Sequence, residues 1–171
     1  MTRLVPGNRV AVNLILSAQG GSTLNGSSKG LSFPKDRLRF HQLRQEFDAI
    51  LIGGNTARNE PYEKTPVPLI VLSHNELPPK IAANPMATLW NLSINEAITK
   101  ATREYGDLLI EAGPALIKTA IAEGLVTELF LTISKRTSYE NLVKCEELTS
   151  GATEISREES EEGVFYRYLI S

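Results

Sequence analysis

Unbroken apolar runs, more than alternating ones, carry the pattern of this chain. Residues 9–16 are nearly continuous in apolar side chains, which predicts a strand buried on both faces near the middle of a sheet. Residues 48–52, 66–72 and 108–111 read as further strands, residues 88–92 as a shorter one, and residues 126–133 add β-branched and aromatic character. Between these runs the period lengthens. Ser32-Phe33-Pro34 opens a helix with Phe40, Leu43 and Phe47 on one face, and Pro34 suits its first turn. Ser93-Ile94-Asn95-Glu96 has the form of a capping box, and Gly106 closes that helix after Tyr105. Pro114 opens another helix, with Leu116, Ile117, Ala120 and Ile121 on one face and Gly124 at its end. Residues 163–170 alternate and predict a final antiparallel or edge strand, with residues 158–162 as a solvated acidic turn before it. Strands alternating with helices predict an α/β, three-layer sandwich with a mostly parallel twisted sheet. No repeat or long linker divides residues 1–171, so one domain is expected.

Two places where strands end carry the candidate chemistry. Ala49-Ile50-Leu51-Ile52 empties into Gly53-Gly54-Asn55-Thr56, leaving backbone N–H groups free where a short helix begins. Leu108-Leu109-Ile110 runs into Glu111-Ala112-Gly113-Pro114 in the same way. Backbone amides and the helix dipole both favour an anion at such a turn, so the pair of junctions suits a dinucleotide with phosphates. The loop of residues 18–30, rich in Gly, Ser and Asn, is long for a compact domain and reads as a binding loop or lid.

Composition narrows the classes. Hydrophobic content of 42% and charged content of 22% in 171 residues are ordinary for a globular domain. A net charge of −2 with scattered Lys and Arg argues against a nucleic-acid partner. No apolar run approaches the roughly 18 to 20 residues of a membrane span, and Met1-Thr2-Arg3-Leu4-Val5-Pro6-Gly7 lacks a secretory core, so a cytoplasmic protein is expected. One cysteine, Cys145, and two histidines, His41 and His74, make neither a disulfide nor a metal site, and no metal is expected. His41 reads as packing on its helix, Trp90 as core or a dimer contact, and Arg44 as either a solvated flank residue or a phosphate ligand.

The order of these pieces resembles the dihydrofolate-reductase-like fold and, within it, the pyrimidine reductases of riboflavin biosynthesis. These form the C-terminal reductase domain of the bifunctional deaminase-reductase. The matching stretches are Val12-Asn13 with Ser17 and Gly20, Leu43-Arg44, and residues 48–53. Thr56 with Glu60-Pro61, Ile70-Val71-Leu72-Ser73, residues 109–114 and residues 124–129 complete a series over about residues 9 to 133. The resemblance implies NADPH as hydride donor, a small-molecule substrate and a homodimer. The substrate it implies is a ribosylaminopyrimidine phosphate, whose ribose is reduced at C1′. It further implies that Gly53, Gly54, Thr56, Glu60, Ser73, Gly113, Pro114, Ala115 and Leu116 hold the cofactor, with Ser73 near the adenosine ribose and its 2′-phosphate. Asn13, Ser28, Arg44, Lys64 and Glu111 would hold the substrate, with Glu111 the candidate catalytic residue and Arg44 or Lys64 on the 5′-phosphate. His74 reads either as a further candidate beside the 2′-phosphate or as a loop histidine with no such role.

Several positions depart from that family. Gln19 stands where a carboxylate would face the substrate, a residue is missing after Glu60, and Lys135-Arg136-Thr137-Ser138-Tyr139 replaces a Gly-Gly turn. These residues are not expected to include the deaminase half, whose zinc site needs more than one cysteine, so a separate chain is expected to deaminate. Two rivals stay open. One is dihydrofolate reductase, whose carboxylate on the first long helix finds only Asp36 and Glu46 here, neither in a convincing position. The other is a non-catalytic nucleotide-binding module.

Overall fold

A computed structural model describes residues 7–171; the rest of the N-terminal stretch weighed as a leader lies outside the described residues. The elements follow in the order β1 (Val10–Ser17), β2 (Gly21–Thr23), α1 (Pro34–Arg44), β3 (Ala49–Gly53), α2 (Gly54–Asn59), β4 (Leu69–Leu72), α3 (Pro79–Ala82) and β5 (Ala87–Trp90). Then come α4 (Ile94–Glu104), β6 (Leu108–Ile110), α5 (Pro114–Ala122), β7 (Glu128–Ser134), β8 (Glu140–Leu142), α6 (Cys145–Thr149), β9 (Thr153–Glu159) and β10 (Gly163–Leu169). The main sheet has eight strands in the order β5-β4-β3-β6-β1-β7-β10-β9. The members from β5 to β7 run parallel, and β10 and β9 close the sheet antiparallel. The expected mostly parallel α/β sandwich is what the chain forms.

Each face of the sheet is covered. Leu43 of α1, Ala57 of α2 and Ile81 of α3 pack with Ile50, Ile52 and Leu109 on one side. Ala97, Ile98 and Ala101 of α4, Ile117 and Ala120 of α5 and Leu148 of α6 pack with Val12, Leu51 and Ile110 on the other. Burial on both faces is why β1, β3 and β6 read as unbroken apolar runs. The capping box forms as expected: Ser93 accepts from the Glu96 amide, and the Glu96 carboxylate accepts from the Ser93 amide at 3.0 Å. Trp90 is buried in the core.

Three expectations about local structure need correction. Residues 18–30 are not one open loop: β2 pairs with β8, and Ser28–Gly30 makes a 3₁₀ turn. Residues 158–162 are not all turn, since Glu158 and Glu159 belong to β9, where Glu158 meets Lys35 and Arg39. All seven residues of β9 are exposed, so it carries no apolar signal. Phe40 leaves the core face shared by Leu43 and Phe47 and lies against Arg44 instead.

Candidate functional site

Because β1, β3, β4 and β6 are parallel, their C-terminal ends share one edge of the sheet. There β3 feeds α2 on one face while its neighbour β6 feeds α5 on the other. Chains that diverge from adjacent strands leave a crevice between them, the place where open α/β sheets take their ligands. A cavity of about 460 Å³ occupies it, bounded by β1, α1, the segment after α2 and the turn from β6 into α5.

At the base of the cavity is a buried triad. Arg44 donates from Nε to Glu111 Oε1 at 2.9 Å and from Nη2 to Oε2 at 2.7 Å. Tyr62 donates its hydroxyl to Glu111 Oε2 at 2.6 Å. Arg44 and Glu111 are 5% and 6% exposed, and the guanidinium lies 4.0 Å from the Phe40 ring centre and 4.8 Å from that of Tyr62. Burial opposes the charge on Arg44, but hydrogen bonding and attraction to Glu111 outweigh it and keep the guanidinium above its ordinary pKa. Burial, and then the neighbouring Glu111 charge, push the Tyr62 phenol well above its ordinary value, so it stays a neutral donor. Arg44 is therefore neither a solvated flank residue nor an unpaired cation awaiting phosphate: its charge is met by Glu111. The pattern hid this because the partner lies 67 residues away.

Other expected residues sort by position. Asn13, Ser28, Lys64, Thr56 and Glu60 line the cavity, as do Gly113 and Pro114. Glu60 is spent on the loop opposite: it accepts from the Ser28 amide at 2.8 Å and from the Ser27 and Ser28 hydroxyls at 3.0 Å. Gly53, Gly54, Ser73, Ala115 and Leu116 are not part of the cavity wall. They sit at the ends of β3 and β4 and in the first turns of α2 and α5. A Cβ added to Gly113 would meet nothing within 4 Å, and one on Gly53 would touch only Leu116 Cδ1 at 3.6 Å. Backbone therefore lies open at both junctions, and the two turns lie side by side. That arrangement fits a dinucleotide pyrophosphate.

The sequence did not single out Tyr62, and it set Asp36 aside as in no convincing position. Asp36 lines the cavity from the first turn of α1, accepting from the Ser32 hydroxyl at 2.5 Å and from the Thr132 hydroxyl at 2.9 Å. Lys29 and Arg37 also line the wall; together with Lys64 they are exposed cations without an ion-pair partner among the described residues. His41 is exposed and borders the cavity, with its ring edge-on to Phe40. Gln19, expected opposite the substrate, instead accepts from the Ser138 amide at 3.2 Å and lines no part of the cavity. The replaced late turn is tied down there too, since Ser138 donates to the Thr23 carbonyl at 2.5 Å and its own carbonyl accepts from Ser17 at 2.7 Å. Cys145 is half-buried, with its thiol pushed up by burial. Among the described residues no cluster of potential metal ligands occurs, and no helix is long and apolar enough to cross a membrane.

A search of curated proteins by sequence found no match. A family model, described as the RibD C-terminal domain, matches residues 8–135. Among solved structures the chain is similar to a pyrimidine reductase-like protein from Corynebacterium diphtheriae, at 20% identity and a TM-score of 0.77, over 96% of this chain and 92% of that one. It is similar to a diaminohydroxyphosphoribosylaminopyrimidine deaminase/5-amino-6-(5-phosphoribosylamino)uracil reductase from Thermotoga maritima at 15% identity and a TM-score of 0.73. That match covers 96% of this chain and 57% of the Thermotoga chain. A dihydrofolate reductase from Enterococcus faecalis, solved with NADP(H) and RAB-propyl, matches at 16% identity and a TM-score of 0.68, over 94% and 95% of the two chains. At these identities the likeness establishes the dihydrofolate-reductase-like fold.

Proposed function

The chain belongs to the RibD C-terminal domain family, and from that premise we propose that it is an NADPH-dependent reductase of a ribosylaminopyrimidine phosphate, acting at ribose C1′. The observation that carries the reading is the cavity beside the β6–α5 glycine junction, with Glu111 at its base and Lys29, Arg37 and Lys64 on its wall. Bound NADPH supplies the hydride. The open backbone at Gly53 and Gly113 holds its pyrophosphate, with Thr56 beside it. Glu111, locked by Arg44 and Tyr62, keeps one outer lone pair on Oε1 for a pyrimidine N–H. Lys64, with Lys29 and Arg37, takes the phosphate that Arg44 is not free to hold. Asn13 on β1 completes the floor, and Glu60 holds the Ser27–Ser28 loop over the substrate and keeps water out. Deamination is assigned to another polypeptide, and the assembly is a homodimer, which light scattering would check.

A second reading has one observation in its favour. Asp36 faces the cavity from the first long helix, where a dihydrofolate reductase would place its carboxylate. Following NADPH oxidation with the deaminated pyrimidine riboside phosphate and with dihydrofolate in parallel separates the two. Turnover on the pyrimidine alone is expected; turnover on dihydrofolate alone would reverse the assignment.

A further inference from the structure

The stretch of residues 61–67 builds one wall of the cavity through Pro61, Tyr62, Glu63 and Lys64, yet it belongs to no helix or strand. Pro61 and Pro66 have no N–H to give. Among the described residues, the one hydrogen bond to the backbone of this stretch comes from Asn84, in the turn between α3 and β5, whose Nδ2 donates to the Tyr62 carbonyl at 3.1 Å. The same Nδ2 donates to the Thr65 hydroxyl at 3.1 Å, and Asn84 Oδ1 accepts from the Met86 amide at 2.9 Å. Asn84 is 3% exposed, so water competes poorly for these bonds. Its own backbone is fixed on both sides: its amide donates to the Ile81 carbonyl of α3 at 2.9 Å, and its carbonyl accepts from the Ala87 amide of β5 at 3.1 Å. Ile81 in turn is fully buried against the sheet. Asn84 lines no part of the cavity itself.

We infer that Asn84 is a positioning residue: through Tyr62 and Thr65 it holds Lys64 on the cavity wall, where the substrate's phosphate is taken. The inference rests on the reductase reading for the identity of that phosphate. Lys64 lies between the two pinned residues, and no described carboxylate restrains its exposed side chain. Fixing the backbone on both sides of a flexible cation orders it before the anion arrives, so less of the interaction is lost to ordering on binding. Tyr62 depends less on the staple, because its hydroxyl is held by Glu111 and its ring by the core. The end of the stretch that relies on Asn84 is therefore the one that carries Lys64. Both amide donors of one buried asparagine are committed to a segment far along the chain, which gives the short helix α3 a part in the site without touching it.

Two substitutions in the full chain test this by degrees. Asn84→Asp keeps the size and the Met86 contact but turns the shared donor into an acceptor facing the Tyr62 carbonyl; Thr65→Val removes one bond of the pair. In NADPH oxidation with the deaminated ribosylaminopyrimidine phosphate, KM for the pyrimidine is expected to rise about 10-fold in Asn84→Asp and about 3-fold in Thr65→Val. The kcat should stay within about 2-fold, and the NADPH dissociation constant should not move. Thr65→Ser keeps the hydroxyl and should hold most of the affinity that Thr65→Val loses. In a Lys64→Met background, Asn84→Asp should add little further to KM, because the group it positions is gone. Full additivity there, or a fall in melting temperature with KM unchanged, would overturn the inference. Calorimetric titration with ribose 5-phosphate reads the same wall without turnover. Binding that Lys64→Met and Asn84→Asp both weaken, with no turnover on the pyrimidine, would sink the reductase reading and leave the positioning role standing. Binding that Asn84→Asp does not weaken, or none in the parent, would remove the role.

Discussion

Replacing Arg44 by methionine leaves the Glu111 carboxylate buried with one remaining donor, the Tyr62 hydroxyl at 2.6 Å. Both members of the pair are nearly inaccessible to water, so solvent replaces the lost hydrogen bonds poorly. Stranding one charge of a buried pair costs about 3 to 5 kcal/mol. In a chain of this length that lowers the melting temperature by roughly 6 to 20 °C. The converse is as informative. Arg44→Met, Glu111→Met and Tyr62→Phe together remove both charges and the hydroxyl that would otherwise lose its acceptor, and the triple variant should return to within about 2 kcal/mol of the parent. Urea unfolding with matched m-values, supported by calorimetry, measures both. A single Arg44→Met variant less than about 1 kcal/mol down, or a triple variant no better than the single, would refute the argument that a closed electrostatic unit holds Glu111.

Three other expectations follow from equally specific contacts. Burial opposes the Glu128 charge, but Arg9 and Arg167 outweigh it and hold the carboxyl below its ordinary 4.5. The stability this adds is complete above that value and lost as pH falls through the lower folded one, so Glu128→Gln should flatten the acid limb of an unfolding series below about pH 5. Gly21→Ala would set a Cβ 2.5 Å from the Ser138 carbonyl oxygen, a backbone atom that cannot swing aside; a loss of about 1 to 3 kcal/mol is expected by urea titration, and a neutral result would mean the β2–β8 flap has slack. Ser93→Ala removes the cap of α4 and should cost about 1 kcal/mol in the same assay, with no change in cofactor affinity.

Burial on both faces explains why so much of the architecture could be read from the chain. Val10–Leu16, apart from Asn13, and Ala49–Ile52 are apolar because helices cover both sides of the sheet, and the Gly106 and Gly124 stops adopt the positive φ that favours glycine there. β9 escaped for the opposite reason: with no buried side chain, its order comes from pairing with β10 and from ionic contacts to α1. β2 and β8 escaped because each has only three residues and they meet across more than a hundred positions. In the site, residues tied to backbone turns were visible, and residues defined by a distant partner were not. Glu111 stood out beside Gly113, yet its pairing with Arg44 and Tyr62 is purely tertiary. Asp36 had no convincing position in the sequence because the contact that fixes it against the cavity comes from Thr132, 96 residues on.

Hydride delivery to the sugar is the central claim, and isotope transfer tests it most directly. NADPH deuterated at nicotinamide C4 would be incubated with the deaminated ribosylaminopyrimidine phosphate, and the product analysed by mass spectrometry and proton NMR. One deuterium is expected, carried at C1′ of a ribityl chain, and lost in Glu111→Ala at equal cofactor occupancy. Deuterium on the pyrimidine ring, or a saturated cofactor site with no labelled product, would contradict it.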